Sequence, residues 1–176
     1  SCHKKFGEDI GILTGDGLLN EASSLLLKTI EKDYDFLKAA TYLMDHAGYK
    51  GMIEGQVLDL RADDYDINYL LNVYNKKTAY LFMAAVVGAG LRLNISDKKL
   101  KSLEDYAYNL GLAYQIQDDL LEEVYEDELN ILNICGRDEA KKLLDEINDK
   151  AYKSLEDFEN NDFLLYLIDY LSVRED

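Results

Sequence analysis

A run of 176 residues without a single proline is the feature that most restricts what this chain can fold into. Proline in a helix interior costs roughly 3 kcal/mol, while turn-rich β-proteins use it freely in their turns. Its absence suits long, uninterrupted helices. The apolar residues agree, recurring at helical spacing almost throughout, with no internal repeat, low-complexity tract or linker between them. The spacing predicts helices over residues 6–30, 34–60 (loosened at Gly48), 67–93, 97–125, 136–158 and 163–171. Ser96 is the predicted N-cap of the fourth, since a serine side chain can accept a free backbone N–H there. Long helices with short connections predict an all-α antiparallel helical bundle in a single domain.

Charge narrows the partners. The formal net charge is −16, which would repel duplex nucleic acid and an anionic membrane surface, so no nucleic acid partner is expected. The longest uncharged apolar run, residues 79–91, is about 13 residues long, too short to span a bilayer, so no integral membrane segment is expected. Two cysteines, Cys2 and Cys135, are too few for a disulfide framework, and a cytoplasmic setting is expected. His3 and His46 read as structural.

The most informative segment is Gly111-Leu-Ala-Tyr-Gln-Ile-Gln-Asp-Asp-Leu-Leu-Glu122. At roughly 100° per residue, Gly111, Gln115, Asp118, Asp119 and Glu122 fall within an arc of about 100°, leaving the leucines, Ala113 and Ile116 to pack. Clustered carboxylates repel one another unless a cation or solvent relieves them. Mg²⁺ prefers oxygen ligands, commonly one or two carboxylates, and completes its shell with water and substrate phosphates. The same spacing would also suit a solvated acidic face. Two further segments tip the balance. In Gly51-Met-Ile-Glu-Gly-Gln-Val-Leu-Asp59, the polar stripe of Gln56, Asp59 and Asp63 beside two glycines suits a cavity lining. Lys77-Thr78 stands directly before the long apolar run, where an ammonium and a hydroxyl can bind a diphosphate.

Taken in order, these segments resemble the trans-polyprenyl diphosphate synthase family, which includes farnesyl and geranylgeranyl diphosphate synthases. The resemblance runs through His3-Lys-Lys-Phe-Gly-Glu8, Ile12-Leu-Thr-Gly-Asp16, Leu18-Leu-Asn20, the G-Q-x-x-D-L stretch ending at Leu60, Lys77-Thr78, and Gln115 with Asp118-Asp-Leu-Leu-Glu122. It implies a fold of the type I isoprenoid synthase kind and an Mg²⁺-dependent condensation of an allylic diphosphate with isopentenyl diphosphate. It implies Asp118 as the principal direct Mg²⁺ ligand, with Asp119 and Glu122 acting largely through metal-bound water. Lys77 would bind the allylic diphosphate. Thr78 and Gln115 would offer oxygen dipoles to the allylic cation, and Gln56 and Asp59 would support the metal–diphosphate cluster and orient Lys77. It also suggests a homodimer.

The chain departs from the family pattern. The first Asp-rich motif and the isopentenyl diphosphate site are not in this sequence, the second motif ends in Glu122, and its Phe is Tyr114. Tyr125-Glu-Asp-Glu-Leu129 runs almost directly into the next helical segment, so the family's longer basic loop is either deleted or outside this sequence. The expectation is the C-terminal portion of a larger synthase domain, inactive by itself. The alternative is a non-catalytic regulatory subunit that pairs with a catalytic prenyl synthase.

Overall fold

The computed structural model describes residues 2–61, 66–123 and 128–174. Asp63 and Tyr125 lie outside them. Among the described residues there is no strand. The order is α1 (Cys2–Phe6), α2 (Glu8–Lys32), a 3-10 turn (Tyr34–Phe36), α3 (Leu37–Ala47), α4 (Met52–Leu60), α5 (Ile67–Tyr74), a π-helical turn (Asn75–Ala79), α6 (Tyr80–Arg92), α7 (Asp97–Leu121), α8 (Ile131–Cys135), α9 (Arg137–Ser154) and α10 (Asp162–Ser172).

Helix α7 is the axis of the bundle. It packs against α6, α9, α10 and the π turn. A surface helix buries one stripe, whereas one surrounded on all sides is apolar around most of its girth. Leu103, Tyr106, Ala107, Leu110, Ala113 and Ile116 of α7 are all buried. They divide between two cores. One centres on Leu70, Ile116, Ile131 and Leu144, and the other on Met83, Tyr106, Leu155 and Ile168. The first core lies under the carboxylate end of α7, so it sets the footing of the candidate site.

The helix starts follow the sequence. Ser96 accepts from the Lys99 N–H at 3.4 Å, as predicted for the N-cap of α7. Asp66 accepts from the Tyr69 N–H at 2.9 Å and opens α5. Four expectations change. The helix predicted over 34–60 is a 3-10 turn plus two helices, because the backbone becomes extended at Gly48 (ψ −168). The helix predicted over 67–93 carries the π turn at 75–79, where the Tyr80 N–H reaches back five residues to the Asn75 carbonyl. Helix α7 stops at Leu121, and Glu122 is already extended (ψ 155). A separate short helix, α8, precedes α9.

Helix α2 differs from the rest. None of its residues is buried, and Leu18 and Leu27 are 69% and 68% exposed. Leu26 and Ile30 are half-buried beside α3, whereas Leu13, Leu18 and Leu25 stay exposed among the described residues. The 79–91 run behaves otherwise: Met83, Ala84 and Val87 are core, although Leu81 is exposed. His46 stacks on Tyr42 at 3.9 Å between ring centres, which is a packing role.

Candidate active site

Three backbones meet at the site. Helix α4 brings Asp59, the π turn brings Lys77 and Thr78, and α7 brings Gln115 and Asp119. Two glycines let them approach. A β-carbon on Gly55 would stand 2.3 Å from the Lys77 backbone nitrogen, and one on Gly111 would stand 2.4 Å from the Ala79 α-carbon. The π turn is therefore held directly between α4 and α7, with no side chain as a spacer on either side. A π turn adds a residue to the helical circuit and redirects the side chains that follow, which is why such turns collect at functional sites.

Polar contacts complete the arrangement. The Lys77 ammonium donates to Asp59 Oδ2 at 2.7 Å. Beside it, Lys76 pairs with Glu54. The Thr78 hydroxyl donates to Gln115 Oε1 at 2.8 Å, and Gln115 Nε2 donates to Asp119 Oδ1 at 3.3 Å. Asp119 Oδ2 accepts from the Ile131 N–H at 2.9 Å and from the Tyr74 hydroxyl. Asp59, Lys77, Gln115, Asp119 and Glu122 line one cavity of about 500 Å³, together with Tyr74, Glu128 and Asn130.

Two expected members stand elsewhere. Gln56 is exposed and does not line the cavity. Asp118 is turned to the C-terminal end of the chain, where the Arg174 guanidinium pairs with it, stacks on Tyr114 and bonds the Tyr114 carbonyl. The expectation that Asp118, Asp119 and Glu122 present one common face is corrected here. Successive residues on a helix diverge by about 100°, and Arg174 takes the carboxylate on the far side. Glu122, three residues after Asp119 and just past the end of α7, lines the cavity beside it.

Tyr74, Glu128 and Asn130 were not anticipated from the sequence. Tyr74 carried a usable signal, since it stands three residues before Lys77 on a helical path. Asn130 and Glu128 carried none, because tertiary packing alone brings their loop to the cavity.

Carboxylates dominate this wall. Asp59, Asp119, Glu122 and Glu128 face one lysine. Among the described residues no three His, Cys, Asp or Glu side chains form a ready-made metal cage. Mg²⁺ seldom has one, and an all-oxygen donor set that leaves room for water and phosphate is the kind it accepts. The donors here fit that description.

Burial holds the Asp119 carboxyl above the usual carboxylate range, against the lowering pull of its hydrogen bonds. A carboxyl whose folded pKa is raised contributes stability fully at acid pH, below its unfolded value, and loses that contribution as pH rises through the folded value. Asp119→Asn cannot ionise. Its melting temperature relative to the parent's is expected to be higher at neutral pH than at acid pH, because only the parent loses that stability as pH rises. Thermal melts of both chains across pH test this, and a relative melting temperature that rises toward acid would contradict it.

Residues 1–145 match the family model described as polyprenyl synthetase. The chain belongs to the polyprenyl synthetase family. Within that family it is 30% identical to the farnesyl diphosphate synthase of Micrococcus luteus, over 98% of this chain and 65% of that protein. The crystal structure of an FPP/GFPP synthase from Zymomonas mobilis superposes with a TM-score of 0.89 at 26% identity, over 97% of this chain and 64% of the other. The geranyltransferase of Helicobacter pylori, solved in complex with magnesium and isoprenyl diphosphate, shares the fold at 22% identity and a TM-score of 0.81, over 97% of this chain and 62% of the other. This polyprenyl synthetase chain thus spans less than two thirds of the length of each of these relatives. The all-α architecture expected from the sequence is that of the family's solved structures. Among the described residues no helix is long and apolar enough to cross a membrane.

Proposed function

We propose that the protein carrying this chain is an Mg²⁺-dependent trans-prenyltransferase of the farnesyl/geranylgeranyl type, condensing an allylic diphosphate with isopentenyl diphosphate. The observation that carries this reading is the meeting of Lys77 with Asp59, Asp119 and Glu122 around one polar cavity of about 500 Å³. A lone ammonium among carboxylates suits a substrate that is itself anionic and arrives with divalent cations.

Asp119, Glu122 and Asp59 are the residues assigned to hold the ion, directly or through water. Asp118 would join them on releasing the Arg174 guanidinium that pairs with it here. Bound Mg²⁺ supplies charge neutralisation on the departing diphosphate. Lys77 holds the same group and adds a fixed positive charge where negative charge develops, with Asp59 fixing the direction of its ammonium. In the condensation the allylic C–O bond breaks and its electron pair leaves with the diphosphate. The isopentenyl double bond supplies the pair for the new C–C bond, and the resulting cation gives up a C–H proton to the released diphosphate, that bond pair becoming the new double bond. Thr78 and Gln115, already bonded to each other, present oxygen dipoles to the cation. Gln56, exposed on α4 and outside the cavity lining, keeps only the diphosphate contact that the family resemblance implies.

The homodimer belongs to this reading. Its support is the uncovered apolar side of α2, since faces of this kind mark interaction surfaces. A cytoplasmic setting is assigned with it, and both cysteines are free.

The test is a thermal melt with Mg²⁺, with inorganic pyrophosphate, and with both. Stabilisation is expected only with both together, reaching roughly 2.7 kcal/mol at a hundredfold excess over Kd. Pyrophosphate that stabilises equally without the metal, or not at all, would remove the metal–diphosphate site. Formation of a longer prenyl diphosphate from the two substrates then assigns the reaction.

A further inference from the structure

Tyr74 is the last residue of α5, and its side chain is 3% exposed against the wall of the cavity. Its hydroxyl and the Ile131 N–H both end on Oδ2 of Asp119. The other oxygen, Oδ1, takes only the longer Gln115 bond at 3.3 Å. A carboxylate held by two donors on one oxygen cannot swing about its Cβ–Cγ bond, so its second oxygen keeps a fixed place. Tyr74 also lies three residues before Lys77 on the same helical path, so one short segment carries both the cation and the donor that sets the carboxylate.

We propose that Tyr74 is a positioning residue, which locks Asp119 so that Oδ1 is presented to the metal–diphosphate group in the cavity. The inference rests on the diphosphate reading above. Removing a partner of this kind commonly costs 10–100-fold in metal affinity even though the partner touches no metal. Burial, with the nearby Asp119 charge, pushes the Tyr74 ionisation up, so the hydroxyl stays protonated and remains a donor. Two donors on one buried oxygen also explain how a 4% exposed carboxylate is tolerated among Leu120, Ile116 and Ile131.

The experiment is calorimetric titration of the protein with Mg²⁺ and inorganic pyrophosphate. Four variants are compared with the parent: Tyr74→Phe, Asp119→Asn, the two combined, and Tyr106→Phe. Tyr106 is a control, since it too is a buried tyrosine, but its hydroxyl donates to the Leu164 carbonyl at 2.9 Å in the other core. Tyr74→Phe is expected to remain folded and to weaken binding about tenfold. The double variant is expected to bind no worse than Asp119→Asn alone, because Tyr74 acts through that carboxylate. Tyr106→Phe is expected to bind as the parent does.

The inference is overturned if Tyr74→Phe binds as the parent does, if it fails to fold, if the two losses add in full, or if Tyr106→Phe loses as much. Absence of binding by the parent itself would instead overturn the diphosphate reading, and this inference with it.

Discussion

In the whole protein that carries this chain, and on the function proposed for it, Lys77→Met is expected to lower kcat/KM for an allylic diphosphate by about 10²–10³ while leaving the fold intact. The magnitude is that of removing one fixed electrostatic contact from a charge-separating transition state. The direction follows from the cavity wall. Among the described residues, Lys77 is the single ammonium lining a space shared by Asp59, Asp119, Glu122 and Glu128. Without it, Asp59 loses its partner at 2.7 Å and becomes an uncompensated negative charge facing an anionic substrate. Methionine keeps the apolar stem of the lysine, so packing beside Gly55 is retained. Lys76→Met provides the contrast. Its ammonium pairs with Glu54 and does not line the cavity, and partly exposed ion pairs of this kind contribute about 0–1 kcal/mol. Steady-state kinetics on both variants decide the matter. Equal effects at 76 and 77 would mean that the lost charge acts only through the general field.

Gly55→Ala and Gly111→Ala are expected to destabilise the chain and disable the site together. Helix propensity alone predicts the opposite sign, since alanine exceeds glycine by about 1 kcal/mol in a helix interior. Packing outweighs it. Each new methyl would fall at 2.3–2.4 Å from backbone atoms of the π turn, and backbone cannot rotate aside as a side chain can. Overpacking of this kind costs about 1–3 kcal/mol, and more where nothing yields. A net loss of about 2 kcal/mol lowers Tm by roughly 4–8 °C. The chain can relieve the clash only by moving the π turn, which carries Lys77 away from Asp59 and Thr78 away from Gln115. Gly15→Ala in α2 has nothing within 4 Å of the new methyl, so propensity acts alone there and Tm is expected to rise. If all three variants were stabilised, the close approach at the π turn would be wrong.

The two glycines show how far the sequence could be read. The sequence set Gly55 beside the polar stripe of α4 and Gly111 in the polar arc of α7, which suits a cavity lining. Which neighbour approaches was not legible. Both meet the same five-residue turn from opposite sides, and that turn is an irregularity inside a segment whose apolar spacing reads as one continuous helix. Hydrophobic periodicity averages over such a turn.

The divergence of Asp118 and Asp119 has a similar cause. Arc counting on an ideal helix treats both carboxylates as neighbours on one face. The partners that separate them are Arg174, 56 residues further on, and the Ile131 amide, 12 residues on and reached through the loop before α8. Neither contact leaves a periodic trace in the chain.

What the sequence determined by itself was the helical class, the cap that starts α7, and the order of motifs that marks the family. These are local properties: proline content, i to i+3 and i+4 spacing, and short strings of residues. Tertiary structure alone decided which carboxylates face the cavity, where the helices break, and that Tyr74 reaches Asp119. Those outcomes depend on the packing of segments far apart in sequence, and a hydrogen bond or a steric contact between such segments exists only once the backbones have been brought together.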